Sequence, residues 1–253
     1  MKCSCGRGKL CLTFAITAFS MIHPEHQRRA YLQAMGIDVW LPNDAPEPEA
    51  STSERAAAAG SENPGADNLS WDELRACVSG CTRCELSSSR TKTVFGVGNQ
   101  SADWMIIGEA PGAEEDRRGE PFVGRAGKML DEMFRAIGQR RDTVFIANIL
   151  KCRPPNNRDP KPAEAAECRS YLERQIALVQ PKIILAVGKI AAQNLLQTDD
   201  PVGRMRGRSH DLNGIPLVVT YHPAYLLRSP SHKRDSWNDL CLATRLLAET
   251  AGA

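Results

Sequence analysis

The chain has 253 residues, 42% of them hydrophobic and 25% charged, with a formal net charge of +2. That is the profile of a soluble globular protein, not of a disordered polyelectrolyte, and the length suits one large domain or two small ones with a buried core. From Leu69 onward the net charge is +4 and the preceding 68 residues carry −2, so the main body is mildly basic, compatible with a polyanionic partner without requiring one.

Taken in chain order, "KLCLTFAITAFSMI" near the start is an apolar run behind basic residues, faintly like a signal segment. It falls short of the roughly 20 residues that span a bilayer. The simpler reading starts translation at Met21, which makes Cys3, Cys5 and Cys11 incidental. Residues 1–42 are read as an N-terminal extension, with a short amphipathic helix from residue 23 to about Gly36. Residues 43–68 are rich in Pro, Ala, Ser, Glu and Gly and nearly lack large apolar side chains, the composition of a flexible linker. The functional domain is then 69–253. It opens at "LSWDEL", where Ser70 and Glu73 have the spacing of a capping box.

Beyond it, apolar strands alternate with amphipathic helices. The strands are "WMIIGEAP", "TVFIANIL", "KIILAVG" and "GIPLVVTYHP". Between and after them lie the helices "AGKMLDEMFRAIG", "KPAEAAECRSYLERQIALV", "KIAAQNLL" and "KRDSWNDLCLATRLLAE". This alternation predicts an α/β fold, a three-layer α/β/α sandwich around a central four-stranded parallel sheet. Ligands in such sheets bind beyond the carboxyl ends of the strands, which here carry Gly108, Glu109, Asn148 and His222.

Those residues suit a binding site. The loop "GEAPGAEEDRRGEPFVGRAG" supplies glycines for close backbone approach, but its acids would repel a phosphate and it lacks the P-loop pattern. Asn148, inside an apolar strand, has an amide that can donate and accept at once, as reading a base edge requires. His222 precedes a proline at a strand end and should project from the sheet edge.

Nine cysteines without framework spacing in a chain this long favour metal or cluster ligation in a reducing cytoplasm over disulfides. "CVSGCTRC" can be read as the three-cysteine loop of a radical-SAM enzyme or, without Cys77, as half of a four-thiolate site. It precedes all four core strands, whereas the radical-SAM loop follows the first strand. Cys81, Cys84, Cys152 and Cys168 can hold Zn²⁺ or an iron–sulfur cubane, and spacing does not choose. Cys241 is read as a packed core thiol.

Several motifs together, "GEAPGAEED…GEPFVGRAGKML", "NILKCRPPNNRDP", "ECRSYL" and "YHPAYLLR", resemble the family 4 uracil-DNA glycosylases over about Leu69 to Leu247. The resemblance implies a 4Fe–4S cluster on Cys81, Cys84, Cys152 and Cys168. It implies that Phe122 stacks on an extruded uracil, Asn148 pairs with the base edge and His222 faces uracil O2. Backbone around Gly108, Ala110 and Gly112 would line the pocket, and Glu115 would crowd the C5 position to exclude thymine. Leu226, Leu227 and Arg228 would wedge into the duplex. Better-known uracil glycosylases carry an aspartate where Ala110 stands, which leaves Glu109 or Asn148 to support the attacking water. Arg204, Arg206, Arg208, Arg228, Lys233 and Arg234 are candidates for phosphate contacts. The implied partner is uracil-containing DNA, single- or double-stranded, met by a monomer in the cytoplasm at the nucleoid, with no membrane involved. The competing reading is a non-catalytic DNA-binding module built on a cluster or zinc.

Overall fold

The computed structural model of the chain describes residues 66–251. The chain divides into two units, residues 1–60 and 61–253, and the described residues all fall in the second. The expectations for the N-terminal extension and most of the linker therefore lie outside the described residues. Residues 66–68, assigned to the linker by composition, form a 3₁₀ turn whose Ala66 packs in a small cluster with Leu74, Val78, Phe95 and Tyr171.

Helix α1 (Trp71–Ser79) begins at the expected capping residues. The Glu73 carboxylate accepts from the Ser70 backbone N–H at 2.8 Å and from its hydroxyl at 2.6 Å. A one-turn helix α2 (Leu86–Ser89) follows the Cys81–Cys84 loop. Then come strands β1 (Val97–Gly98) and β2 (Trp104–Gly108) and helices α3 (Ala113–Arg118) and α4 (Arg125–Ala136). Strand β3 (Phe145–Asn148) leads through a proline-containing loop to α5 (Pro162–Val179), whose first residue is the helix-compatible Pro162. Strand β4 (Ile183–Val187), α6 (Lys189–Leu196), α7 (Val202–Met205), β5 (Ser209–Leu212) and β6 (Ile215–Thr220) follow. Helices α8 (Pro223–Arg228) and α9 (Lys233–Ala251) close the fold.

The sheet order is β1-β3-β2-β4-β6-β5. The four strands read from sequence form its parallel centre, β3-β2-β4-β6. The expected four-stranded sheet is nonetheless six-stranded, because β1 and β5 add short antiparallel edges. Both had weak sequence signals: β1 is two residues long, and β5 ("SHDL") is polar and only half-buried. The central strands are buried on both faces, hence their unbroken apolar runs. One core, containing Ile107, Leu150, Cys168, Leu172, Ala186 and Val219, lies on one face of the sheet. Another, containing Ile106, Leu130, Phe134, Leu185, Val218 and Leu240, covers the opposite face. The result is the three-layer arrangement, and it aligns the carboxyl ends of four parallel strands along one edge.

Candidate base-excision pocket and four-thiol cavity

At that edge Gly108 and Asn148 are register partners at the ends of β2 and β3. Gly188 follows β4, and His222 stands two residues beyond β6. Contact distances tie them together. A Cβ on Gly108 would lie 2.5 Å from Asn148 Oδ1 and 2.6 Å from Phe122 Cζ, so only hydrogen fits there. A Cβ on Gly188 would lie 3.0 Å from His222 Cβ, and Gly188 has φ +101°. The Phe122 and His222 rings are 5.7 Å apart and inclined by 31°. Asn148, Phe122 and His222 thus surround the exit of β2.

Each side chain is chemically prepared. Asn148 is buried, and its Oδ1 has no hydrogen-bond partner among the described residues. Buried acceptors of that kind are costly unless something else completes them. His222 caps α8, its Nδ1 accepting the Ala224 backbone N–H at 3.1 Å. That bond assigns the ring proton to Nε2, which becomes a free donor. Desolvation, reinforced by the Arg228 charge, pulls the His222 pKa down to about 4, so the ring is neutral at physiological pH. Glu109 moves the other way. Burial, with Asp159 nearby, raises its pKa to about 7, the range of a general base poised near neutrality.

Phe122 has φ +54°, an uncommon conformation for an aromatic residue. The surrounding side chains enforce it. Glu115 Oε1 accepts the N–H groups of Val123 and Gly124 at 2.9 and 3.1 Å. Arg141 donates to the carbonyls of Pro121 and Phe122 and is itself held by Asp131 at 2.6 Å. Gly127 leaves room for the Phe122 backbone, since a Cβ there would sit 1.6 Å from the Phe122 carbonyl oxygen. The contacts of Glu115 are therefore local: it holds this turn, and its other oxygen folds against Gly112, 2.7 Å from where a Cβ would be. Ala110 packs against the core beside α5's face of the sheet and brings no carboxylate.

Four cysteines meet on the α5 side. Cys81 and Cys84 from the α1–α2 loop, Cys152 after β3 and Cys168 on α5 line one cavity, with Arg90 and Lys151 beside them. Cys77 does not line it; its sulfur lies 3.7 Å from the Tyr171 hydroxyl. Burial raises the Cys152 thiol pKa, opposed by an Arg90 hydrogen bond at 3.3 Å, and pushes Cys168 up to about 11. Buried thiols of this kind ionise when a positively charged centre binds them. Among the described residues no three His, Cys, Asp or Glu side chains group tightly enough for a single metal ion. Four thiols lining one cavity supply the four-thiolate donor set that an iron–sulfur cubane takes, and a zinc ion takes as well. The donor set fits the group.

The DNA-facing expectations divide. Leu227 and Arg228 are exposed on α8, but Leu226 is fully buried among the residues of the second core. Packed there, Leu226 is not presented to a duplex. Arg206 is also reassigned. It pairs with the buried Asp239 at 3.1 Å, donates to the Asp235 carbonyl and covers the Tyr221 ring, so it is not available to phosphate. Arg208, Arg228, Lys233 and Arg234 remain exposed, as does Arg204, 3.6 Å from Asp200. No described helix is long and apolar enough to cross a membrane.

The model of the uracil DNA glycosylase superfamily matches residues 95–242. A type-4 uracil-DNA glycosylase of Archaeoglobus fulgidus is 40% identical over 178 residues, covering 67% of this chain and 89% of the relative. That of Thermotoga maritima is 44% identical over 158 residues, covering 62% and 82%. The chain belongs to the type-4 uracil-DNA glycosylases. A type-5 uracil-DNA glycosylase of Pyrobaculum aerophilum is more distant, 27% identical over 148 residues. For a type-4 glycosylase the strand-end pocket and the cysteine cavity are the two regions to explain. Sequence reasoning missed Gly188, Arg141, Asp131 and Lys151 in them, whereas Gly127 was among the loop glycines expected to allow close backbone approach. Gly188 had a usable signal, a glycine between an apolar strand and a helix, like Gly108. The others act through contacts distant in sequence.

Proposed function

We propose that the chain excises uracil from DNA and so starts base excision repair, with Gly108, Asn148, Phe122 and His222 forming the base pocket. The observation that carries this reading is the pairing of complementary groups at one sheet edge. Asn148 offers a buried, unpartnered acceptor, and His222 a neutral ring with its Nε2–H free. Uracil offers an N3–H donor and carbonyl acceptors to match them. Extruding the base costs a few kcal/mol, least from a mismatch or single strand.

The C1′–N1 bond then breaks, its electron pair staying on N1 and leaving an oxocarbenium-like sugar. His222 donates toward O2 as negative charge spreads over the base, an effect worth roughly 3–4 kcal/mol for a preorganised donor. Water adds to C1′ and gives up a proton, with Glu109 as the acceptor once ionised. Uracil leaves as the anion and is protonated in solution. Phe122 stacks on the flipped ring, and the backbone of Gly108, Ala110 and Gly112 closes the pocket around it. Leu227 and Arg228 fill and flank the gap in the duplex. Arg204, Arg208, Lys233 and Arg234 hold phosphates, positioning the strand without reading sequence.

Cys81, Cys84, Cys152 and Cys168 would hold a 4Fe–4S cluster. With four cysteine ligands it would supply a structural tie between the α1–α2 loop, the β3 exit and α5, and no reactive iron. The protein works as a monomer on nucleoid DNA in the cytoplasm. The test is incubation with oligonucleotides bearing U opposite G, U opposite A, U in a single strand, or T in place of U. Alkali-labile abasic sites should appear with uracil and not with thymine. Tight DNA binding with no abasic product would favour a non-catalytic module instead.

A further inference from the structure

Lys151 is the one buried basic residue among the described residues. Burying an ammonium costs several kcal/mol unless its donors are used. Its Nζ donates to the Asn148 backbone carbonyl at 2.8 Å and to Gln175 Oε1 at 2.6 Å. Gln175 Nε2 in turn donates to the Phe95 carbonyl at 2.8 Å. Gln175 and Cys168 are seven residues apart on α5, two turns along one face. Lys151 also lines the four-thiol cavity and directly precedes Cys152. One side chain therefore connects the helix that carries Cys168, the loop that carries Cys152 and the strand end that carries Asn148.

We propose that Lys151 is a positioning residue for Asn148, locking the carboxyl end of β3 to α5 and so fixing where the base-reading amide stands. This rests on the proposed base-reading role of Asn148. A methionine at position 151 would fill the same space without donating. The Asn148 carbonyl would lose its anchor, and the amide, already without a partner at Oδ1, would gain freedom at the point where the base is read. A displacement of about 1 Å at a reacting centre costs roughly a hundredfold in rate. DNA affinity is dominated by phosphate contacts and should not change.

The experiment is a double-mutant cycle on the intact protein, using Lys151→Met, Asn148→Ala and the pair. It reads single-turnover uracil release, DNA Kd, visible iron–sulfur absorbance and the Asn148 side-chain amide signal by NMR, assigned by its loss in Asn148→Ala. Lys151→Met alone should slow release about ten- to a hundredfold, leave Kd unchanged and move the Asn148 signal. In the Asn148→Ala background it should cost less than about twofold, since residues acting as a unit are not additive. If Lys151→Met does not fold, Gln175→Leu, which removes the second anchor of Nζ, takes its place with the same readings. A wild-type rate in the folded variant, or an equal loss in both backgrounds, overturns the proposal. An inactive wild type, or Asn148→Ala at wild-type rate, instead refutes the base-reading role beneath it.

Discussion

The most exacting consequence of the pocket geometry concerns one methyl group at the end of β2. In Gly108→Ala the new Cβ would stand 2.5 Å from Asn148 Oδ1 and 2.6 Å from Phe122 Cζ, whereas ordinary contact begins at 3.4 Å. One or both side chains must retreat by about 0.9 Å. Neither can do so freely. Asn148 is buried at a strand end, and Phe122 is held at φ +54° by Glu115 and Arg141. Overpacking of this kind costs roughly 1–3 kcal/mol of stability. A displacement near 1 Å at the base-reading groups costs about a hundredfold in rate, about 2.7 kcal/mol of barrier. The assay is single-turnover uracil release at saturating enzyme, with thermal unfolding alongside. Gly203→Ala serves as the control, because a Cβ there has nothing within 4 Å. The expected outcome is a Gly108→Ala protein that folds, melts lower and releases uracil about a hundredfold more slowly, with the control unchanged. A folded Gly108→Ala protein with a wild-type single-turnover rate would refute the placement of Asn148 and Phe122 as base-contacting groups.

Other outcomes follow from the same geometry. With Glu109 raised to about 7 and His222 lowered to about 4, the rate of release should rise with pH through about 7 and show no inflection from His222 between pH 5 and 8. Glu109→Gln should flatten that limb. It should also remove a stability contribution that is fully present below pH 4.5 and lost as pH rises through about 7, since the folded protein holds this proton more tightly. Cys168→Ser should lose the visible iron–sulfur absorbance and melt lower, while Cys77→Ser should keep the absorbance. Leu226→Ala should destabilise by about 2–5 kcal/mol, as buried leucine truncations do. Leu227→Ala should instead leave the melting temperature unchanged and slow release from duplex DNA more than from single strands.

The parallel core was legible because each central strand is buried on both faces and reads as an apolar run between glycine or proline breaks. The edge strands were not, since two residues at β1 and a polar, half-buried β5 give neither run nor alternation. Asn148 and His222 stood out because a polar residue inside or just after an apolar strand is conspicuous, and topology then brings them together. Leu226 and Leu227 could not be told apart from "AYLLR" alone. A six-residue helix has too little period to show which leucine faces in, and only packing against the second core decides it. Arg206 looked like any other surface arginine until the chain brought Asp239, 33 residues away, against it. The Arg141 hold on Phe122 and the Lys151–Gln175 bond have the same origin, contacts between residues 19 and 24 positions apart that no local pattern marks.

The proposed chemistry depends on Asn148 and His222, which recognise uracil and carry the developing charge as it leaves. The most direct measurement is the single-turnover rate of uracil release from a single-stranded oligonucleotide, where duplex opening plays no part, for the wild type, Asn148→Ala and His222→Ala. Each variant should bind the strand normally and release uracil about 10²–10³-fold more slowly, the effect of removing one preorganised group. Release at the wild-type rate from either folded variant would contradict the account.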